Sequence, residues 1–424
     1  MRPSQDSTTP ARGQPTREAA LALLMGVLDR RRPLEETLET LTNVAARDRA
    51  AAHRIAAMVL RRMGTLDAVL EPFLRREPPL VVRCALRMGA AELLLLDTPP
   101  HAAVASAVDA VPRGFAGLVN AVLRRVATQG AAALEGLDAE RLDTPGWLWS
   151  AWHAAFGPEV TRAIAAAHRV TAPLDLTLAP GASPPEGAEA LPCGSWRLPA
   201  GTRVTDLTGF AGGNFWVQDA AAALPARLLA PRAGESVADL CAAPGGKTAQ
   251  LVAAGAFVTA VERDPRRAAR LRENLARLRL EANIVEADAT SWQPDDGTRF
   301  DAILLDAPCT ATGTIRRHPD VVHLKHPRDV ASAAALQDRL LTHAATLLKP
   351  AGRLVFATCS LQAEEGEAHL PRAAALGLVL DALNPAELPG LEQAITPGGW
   401  LRTRPDMLPG GIDGFFCARF RRGE

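Results

Sequence analysis

The sequence predicts an α/β protein in which a doubly wound parallel sheet fills the second half, preceded by an all-α domain and a small mixed α+β subdomain. Three observations lead there. From about residue 226 onward, short apolar runs rich in β-branched residues alternate with segments of helical period. The first run is followed by a Gly-rich turn, DLCAAPGGKTAQL at Asp239–Leu251, that opens a helical pattern. Residues from about 16 to 130 carry helical periodicity throughout.

In chain order, MRPSQDSTTPARGQPT lacks the apolar core of a signal peptide, and residues 1–15 read as a disordered tail. Residues 16–138 form one helical domain: REAALALLMGVLDR, AAHRIAAMVLRRMGTLDAVLEPFL, PLVVRCALRMGAAELLLL and FAGLVNAVLRRVATQG repeat apolar residues at helical spacing. Pro33, Pro72, Pro79 and the pair Pro99-Pro100 punctuate them. Residues 139–225, richer in Pro, Gly and Trp, read as a short helical connector and a small α+β subdomain with a strand near LDLTL. Residues 226–424 carry strands near SVADL, AFVTAVE, EANIVEAD, FDAILLD and GRLVFATCS. RRAARLRENLARL and PRDVASAAALQDRLLTHAATLLK are the intervening helices; the second begins at Pro327 and stops before Pro350-Ala351-Gly352.

Net charge is zero, yet residues 1–130 hold 18 Arg and no Lys against 13 acidic residues, an excess that permits a nucleic-acid partner. The whole chain has three lysines, Lys247, Lys325 and Lys349, and the first sits in the Gly-rich loop, where a compact ammonium serves better than a guanidinium fork. Tyr is absent, so base stacking falls to Phe, Trp, His or Arg. The six cysteines are widely spaced without a Cys-x-x-Cys pair, which argues against a disulfide framework or a structural zinc site. No apolar run is long enough to span a membrane. A cytoplasmic monomer without metal is expected.

The loop ends in Gly246-Lys247-Thr248, like a phosphate-binding loop. That motif would need glycine at position 241, which is Cys241, and Pro244 removes a donor from the loop. The Gly-x-Gly-x-x-Gly of dinucleotide sites is absent as well. Three carboxylates fall at successive strand ends: Glu262, Asp288 and Asp306. Each alone could cap a following helix, but together with the Gly-rich turn they suggest a crevice for a nucleoside without phosphates, such as S-adenosylmethionine. Glu262, about twenty residues past the loop, is placed to accept hydrogen bonds from ribose hydroxyls.

Cys309 lies three residues after Asp306 in LLDAPCTATGTIRRHPD, and Cys359 ends the fifth strand in RLVFATCSLQAEEGE, where a helix start would favour a thiolate. A buried cysteine is more often a small hydrophobe. A methyl donor beside a thiolate suits one chemistry: a thiolate adding at carbon 6 of a pyrimidine makes carbon 5 nucleophilic. An acid supports charge at N3 or the exocyclic amine, and a base removes the carbon 5 proton. Asp306 suits the first role, and Cys309 is near enough to assist release.

DLCAAPGGKT, DAPCTATGTIRRHPD, FATCS and DGFFCARF resemble the motifs of the RsmB/Sun (Fmu) family of bacterial rRNA cytosine-C5 methyltransferases, and RGFAGLVNAVLRRV resembles the family's NusB-like domain. The resemblance spans nearly the whole chain. It implies a Rossmann-like class I methyltransferase domain behind a NusB-like RNA-binding domain, acting on 16S rRNA. It implies Cys359 as nucleophile, with Cys309 aiding release. It implies a cofactor site for S-adenosyl-L-methionine at Cys241, Ala242, Ala243, Pro244, Gly245, Gly246 and Lys247 with Glu262, Asp288 and Asp306. The sequence departs from the family at Thr310-Ala311, where Ser-Gly is usual, and at Thr177-Leu178-Ala179, where Arg-x-Asn is usual. In IRRHPDVVHLKHP, the three histidines lack the partners of a metal site, and a basic loop contacting RNA phosphates is the preferred reading over a solvated one. A tRNA substrate, or a non-catalytic RNA-binding assembly factor, remains the alternative.

Overall fold

The computed structural model describes residues 14–423, so residues 1–13 of the expected tail lie outside the described residues, and residues 14 and 15 already belong to the first helix. The chain divides into two units: residues 14–150 with His318–Lys325, and Ala151–Arg317 with the residues from His326 onward.

The first unit is helical. Its main helices are Gln14–Leu28, Ala46–Arg61, Met63–Leu70, Leu80–Leu94, Pro100–Asp109 and Arg113–Gln129. Pro79, Pro99 and Pro112 each stand immediately before a helix with extended ψ, where the fixed φ of proline suits the entry and its missing donor costs nothing. Leu80–Leu94 is buried from Val82 to Glu92 on every side, which makes it the central helix. Its Arg83 and Arg87 are held by Asp67, the latter in a two-pronged pair at 2.8 Å, and Glu92 meets Arg17 at 2.8 Å.

Residues His318–Lys325 belong to this helical unit although they follow the Pro-Cys motif in sequence. The Asp320 carboxylate accepts from Leu34 N at 3.0 Å, and His323 Nε2 donates to Leu60 O at 2.8 Å. Arg31 donates to the carbonyls of His323 and Leu324.

The second unit holds two sheets. In the smaller, β1 (Leu174–Leu178), β2 (Glu189–Ala190), β3 (Trp196–Leu198) and β4 (Phe215–Val217) run antiparallel in the order β2-β3-β1-β4. In the larger, β5 (Ser236–Leu240), β6 (Phe257–Glu262), β7 (Asn283–Glu286), β8 (Phe300–Asp306) and β9 (Leu348–Thr358) are parallel. β10 (Leu378–Leu380), β11 (Leu401–Thr403) and β12 (Phe415–Arg422) complete it in the order β10-β12-β9-β8-β5-β6-β7, with β11 also on β12. β12 is antiparallel to β9, β10 and β11. The parallel, doubly wound arrangement expected from the sequence is present in β5 to β9, and the antiparallel strands at the β9 side make the sheet as a whole mixed. DGFFCARF supplies β12, whose short alternating pattern resembled a motif more than a strand. Central strands such as β5 are buried on both faces, which explains the continuous apolar runs.

Candidate active site and cofactor cleft

β5 and β8 are neighbours, pairing Asp239 with Leu304 and Leu240 with Leu305. The chain proceeds from β5 toward β6 and β7 on one side and from β8 toward β9 on the other, so the loops after β5 and β8 flank the switch point where such sheets bind ligands.

The loop after β5 is rigid. Gly245 has φ 104°, a left-handed conformation, and a Cβ there would stand 2.4 Å from Leu271 Cδ1, so glycine is required. The carbonyls of Ala243 and Pro244 accept from Arg267 Nη2 and Asn274 Nδ2, each at 2.8 Å. Ala242 and Ala243 pack in a small core with Trp216, Leu271 and Leu275. Of the expected cofactor residues in this loop, Cys241 lines the adjoining cleft.

Glu262, Asp288, Val261, Ala287, Leu336 and Leu340 line the same cleft. Glu262 is 2% exposed. Its Oε1 accepts from Asp264 N at 3.0 Å, while Oε2 accepts no hydrogen bond and has the Arg267 guanidinium 3.4 Å away. A buried carboxylate oxygen left open beside apolar walls fits a ribose hydroxyl next to a flat base. Asp288 is exposed, and hydrogen bonds from Thr290 N and Oγ1 hold its carboxyl below the usual range.

Lys247 does not line this cleft. Its Nζ sits 2.7 Å from Asp306 Oδ2 and 5.3 Å from the Phe415 ring centre, with 12% of the side chain exposed. Burial would lower its pKa, but the carboxylate of Asp306 and the charge at Cys359 hold it above the ordinary value. Lys247, expected at the cofactor, thus has its positive charge set against Asp306 and the Cys359 side.

Cys309 Sγ and Cys359 Sγ are 3.3 Å apart. The hydrogen bond to Cys359, then burial, push Cys309 well above the ordinary thiol range. Burial pushes Cys417 up to about 12 and Cys84 up to about 11, which marks both as inert core thiols. Beneath the loop, Asp239 is fully buried and accepts from Thr248 Oγ1 at 2.6 Å. Burial, followed by the charges of Asp306 and Glu262, pushes it up to about 7.

In the IRRHPD segment, expected to contact RNA phosphates, both arginines are engaged within the protein. Arg316 is 2% exposed and donates to Gly410 O. Arg317 meets Asp219 at 2.6 Å, Asp413 at 3.3 Å and Asp175 at 3.5 Å. His323 is held by Leu60. Among the described residues no group of His, Cys, Asp and Glu could hold a metal ion, and no helix is long and apolar enough to cross a membrane. Thr177, at one departure from the family pattern, donates to Gln218 Oε1 at 2.8 Å within the small sheet.

Sequence reasoning overlooked Glu365, which meets both cysteine loops, and the contact of Phe415 with Lys247. QAEEGE looked only like a helix start, and Phe415 lay unremarked inside DGFFCARF.

The family described as 16S rRNA methyltransferase RsmB/F matches residues 226–421, and the NusB family matches residues 14–128. The chain is similar to ribosomal RNA small subunit methyltransferase B of Cronobacter sakazakii, 34% identical over 95% of this chain and 97% of that one. The protein of the same name from Xylella fastidiosa is 38% identical, over 94% and 98%. Among solved structures, that of PH0851 matches with a TM-score of 0.74 at 22% identity, covering 98% of this chain and 99% of that one. A methyltransferase homolog protein from Pyrococcus horikoshii matches with a TM-score of 0.52 at 27% identity, over 64% and 93%. The cofactor is S-adenosylmethionine, and the open Glu262 oxygen and apolar walls of the cleft suit its ribose and adenine.

Proposed function

The chain belongs to the RsmB/F family of 16S rRNA methyltransferases, and from that premise we propose that it methylates carbon 5 of a cytosine in 16S rRNA, in the cytoplasm, through a covalent bond from Cys359. The observation that carries this reading is the two sulfurs 3.3 Å apart beside the Lys247–Asp306 pair. S-adenosylmethionine supplies an electrophilic methyl group on a positively charged sulfur. Cytosine carbon 5 is too weak a nucleophile to take it unaided. The Cys359 thiolate adds at carbon 6, and the electron density released reaches carbon 5, which bonds to the methyl as the methyl's bond to the donor sulfur breaks and leaves its electron pair there. Asp306, held by Lys247 at 2.7 Å, accepts from the exocyclic amine and from a proton held at N3, and the Lys247 ammonium offsets the negative charge that develops there.

Release requires that the carbon 5 proton leave and that the carbon 6–sulfur bond break. Cys309 is kept protonated chiefly by its hydrogen bond to Cys359. Once Cys359 is tied up as a thioether, that restraint and the charge repulsion from Cys359 both vanish. Cys309 can then lose its proton to solvent and, as the thiolate, take the one on carbon 5; the electrons of that C–H bond restore the carbon 5–carbon 6 double bond as the carbon 6–sulfur bond breaks and the Cys359 thiolate departs. The order of events is built into the pair: Cys309 becomes basic only after Cys359 has reacted.

The test uses both cysteines. Cys359→Ala should neither transfer methyl nor form an adduct. Cys309→Ala should methylate once and stall, accumulating a protein–RNA adduct that survives denaturing electrophoresis and disappears when Cys359 is also removed. An adduct that builds up in Cys359→Ala instead would reverse the two roles. Bisulfite sequencing of rRNA from a deletion strain identifies the target nucleotide.

A further inference from the structure

We propose that Glu365, which has no hydrogen bond to either sulfur, is the positioning residue that sets the spacing between Cys309 and Cys359. Residues on both sides of Cys359 and the one after Cys309 bond to it directly, and the one before Cys309 reaches it through Gln337. After Cys309, Thr310 donates its backbone N to Glu365 Oε1 at 2.8 Å and its hydroxyl to Oε2. After Cys359, Ser360 Oγ donates to the same Oε2 at 2.5 Å. Before Cys359, Thr358 Oγ1 donates to the Glu365 backbone carbonyl at 2.9 Å. Before Cys309, the Pro308 carbonyl accepts from Gln337 Nε2 at 2.8 Å, and the same amide reaches Glu365 Oε1 at 3.4 Å. A second strap joins the loops, because Thr312 Oγ1 accepts from Leu361 N at 3.0 Å and lies 3.1 Å from Ser360 Oγ.

Glu365 is fully buried, yet no salt bridge reaches it among the described residues. Its donors are two hydroxyls, a backbone amide and a side-chain amide. A carboxylate buried without a cation is costly, and a neutral acceptor could tie off one hydroxyl at less expense. What the carboxylate adds is two oxygens in one plane with room for several donors, so that one rigid group can hold two loops from different strands. Gln337 fixes the arrangement from behind, since His369 Nε2 donates to Gln337 Oε1 at 2.9 Å and His369 Nδ1 lies 2.8 Å from Asp338 Oδ1. The negative charge of Glu365 also helps keep Cys309 protonated. The role rests on the two-cysteine reading above, because spacing matters only where the sulfurs act in turn on one base.

The experiment measures spacing and catalysis separately. Diamide oxidises two adjacent thiols to a disulfide: each sulfur loses a proton and an electron, and the diazene is reduced to the hydrazine. The rate of Cys309–Cys359 cross-linking, followed by peptide mass spectrometry on the full chain without RNA, therefore reports how often the sulfurs meet. Glu365→Gln keeps the volume but exchanges one acceptor oxygen for an amide NH2, which can only donate. It should slow cross-linking at least about fivefold, since disulfide geometry is demanding. It should lower kcat by roughly tenfold to a hundredfold, the cost of misplacing a reacting group by a fraction of an ångström or more. The KM for RNA and the affinity for S-adenosylmethionine should stay within about twofold. Ser360→Ala, which removes one of the bonds to Oε2, should move both rates the same way by less and covers the case where Glu365→Gln does not fold. Cross-linking at the wild-type rate in the folded variants overturns the proposal, whatever happens to activity. So does slowed cross-linking with kcat unchanged. If the wild type cross-links normally but transfers no methyl to RNA, the functional reading fails while the spacing result still stands.

Discussion

Replacing Lys247 with methionine keeps the length of the side chain and deletes its charge. The ammonium is 12% exposed and 2.7 Å from Asp306, whose side chain is 29% exposed. Removing one partner of a fully buried pair costs about 3–5 kcal/mol. Asp306 can recover part of its hydration through its exposed edge, so about 2–3 kcal/mol of stability should be lost, read from urea denaturation. The chemistry should suffer more, because a fixed charge aimed at the reacting groups is lost: kcat should fall by roughly 10²–10³. Since Asp306 and Cys359 hold Lys247 above its ordinary value, its stabilisation is complete below about pH 10 and declines only as pH climbs past the raised value. The defect should therefore be constant from neutral pH to mild alkali. Calorimetry should show S-adenosylmethionine affinity changed by less than about threefold, because Lys247 is not among the residues that line the cleft. Lost cofactor affinity with kcat retained would refute this reasoning and return Lys247 to the cofactor.

Two further changes probe the cleft and the buried acid beneath it. Glu262→Ala should weaken S-adenosylmethionine binding by about 1.5–3 kcal/mol, the scale of a charge-assisted hydrogen bond, and unchanged calorimetric affinity would remove Glu262 from the site. Asp239 takes up its proton near about 7 when folded, against about 3.9 in an unfolded chain, so the folded state binds more protons in between. Stability should then fall as pH rises from about 4 to about 7, by up to about 1.4 kcal/mol per pH unit. Asp239→Asn should flatten that part of the slope while still accepting from Thr248, and identical slopes in denaturation series from pH 5 to pH 8 would show that Asp239 does not titrate there.

The sequence by itself determined what neighbouring residues decide. Apolar periodicity marked the helices of the first unit and the parallel strands β5 to β9, because burying one face or two requires a repeat of 3.6 residues or a short continuous run. The Gly-rich turn was legible because Gly245 must adopt a left-handed conformation where the chain reverses into a helix. Glu262, Asp306, Cys309 and Cys359 could be placed at one edge of the sheet because parallel strands bring their ends together. The tertiary structure alone decided what depends on partners far along the chain. β12 turned the sheet mixed, since a three-strand antiparallel edge has no periodic signature distinct from any other short strand. His318–Lys325 joined the helical unit through bonds to Leu34 and Leu60, nearly three hundred residues away in sequence. Lys247 turned to Asp306, 59 residues distant, and Glu365 gathered Thr310 and Ser360 around one carboxylate. A charge removed from water goes wherever its opposite charge or enough donors await it, and that address is written in three dimensions rather than in the spacing of residues along the chain.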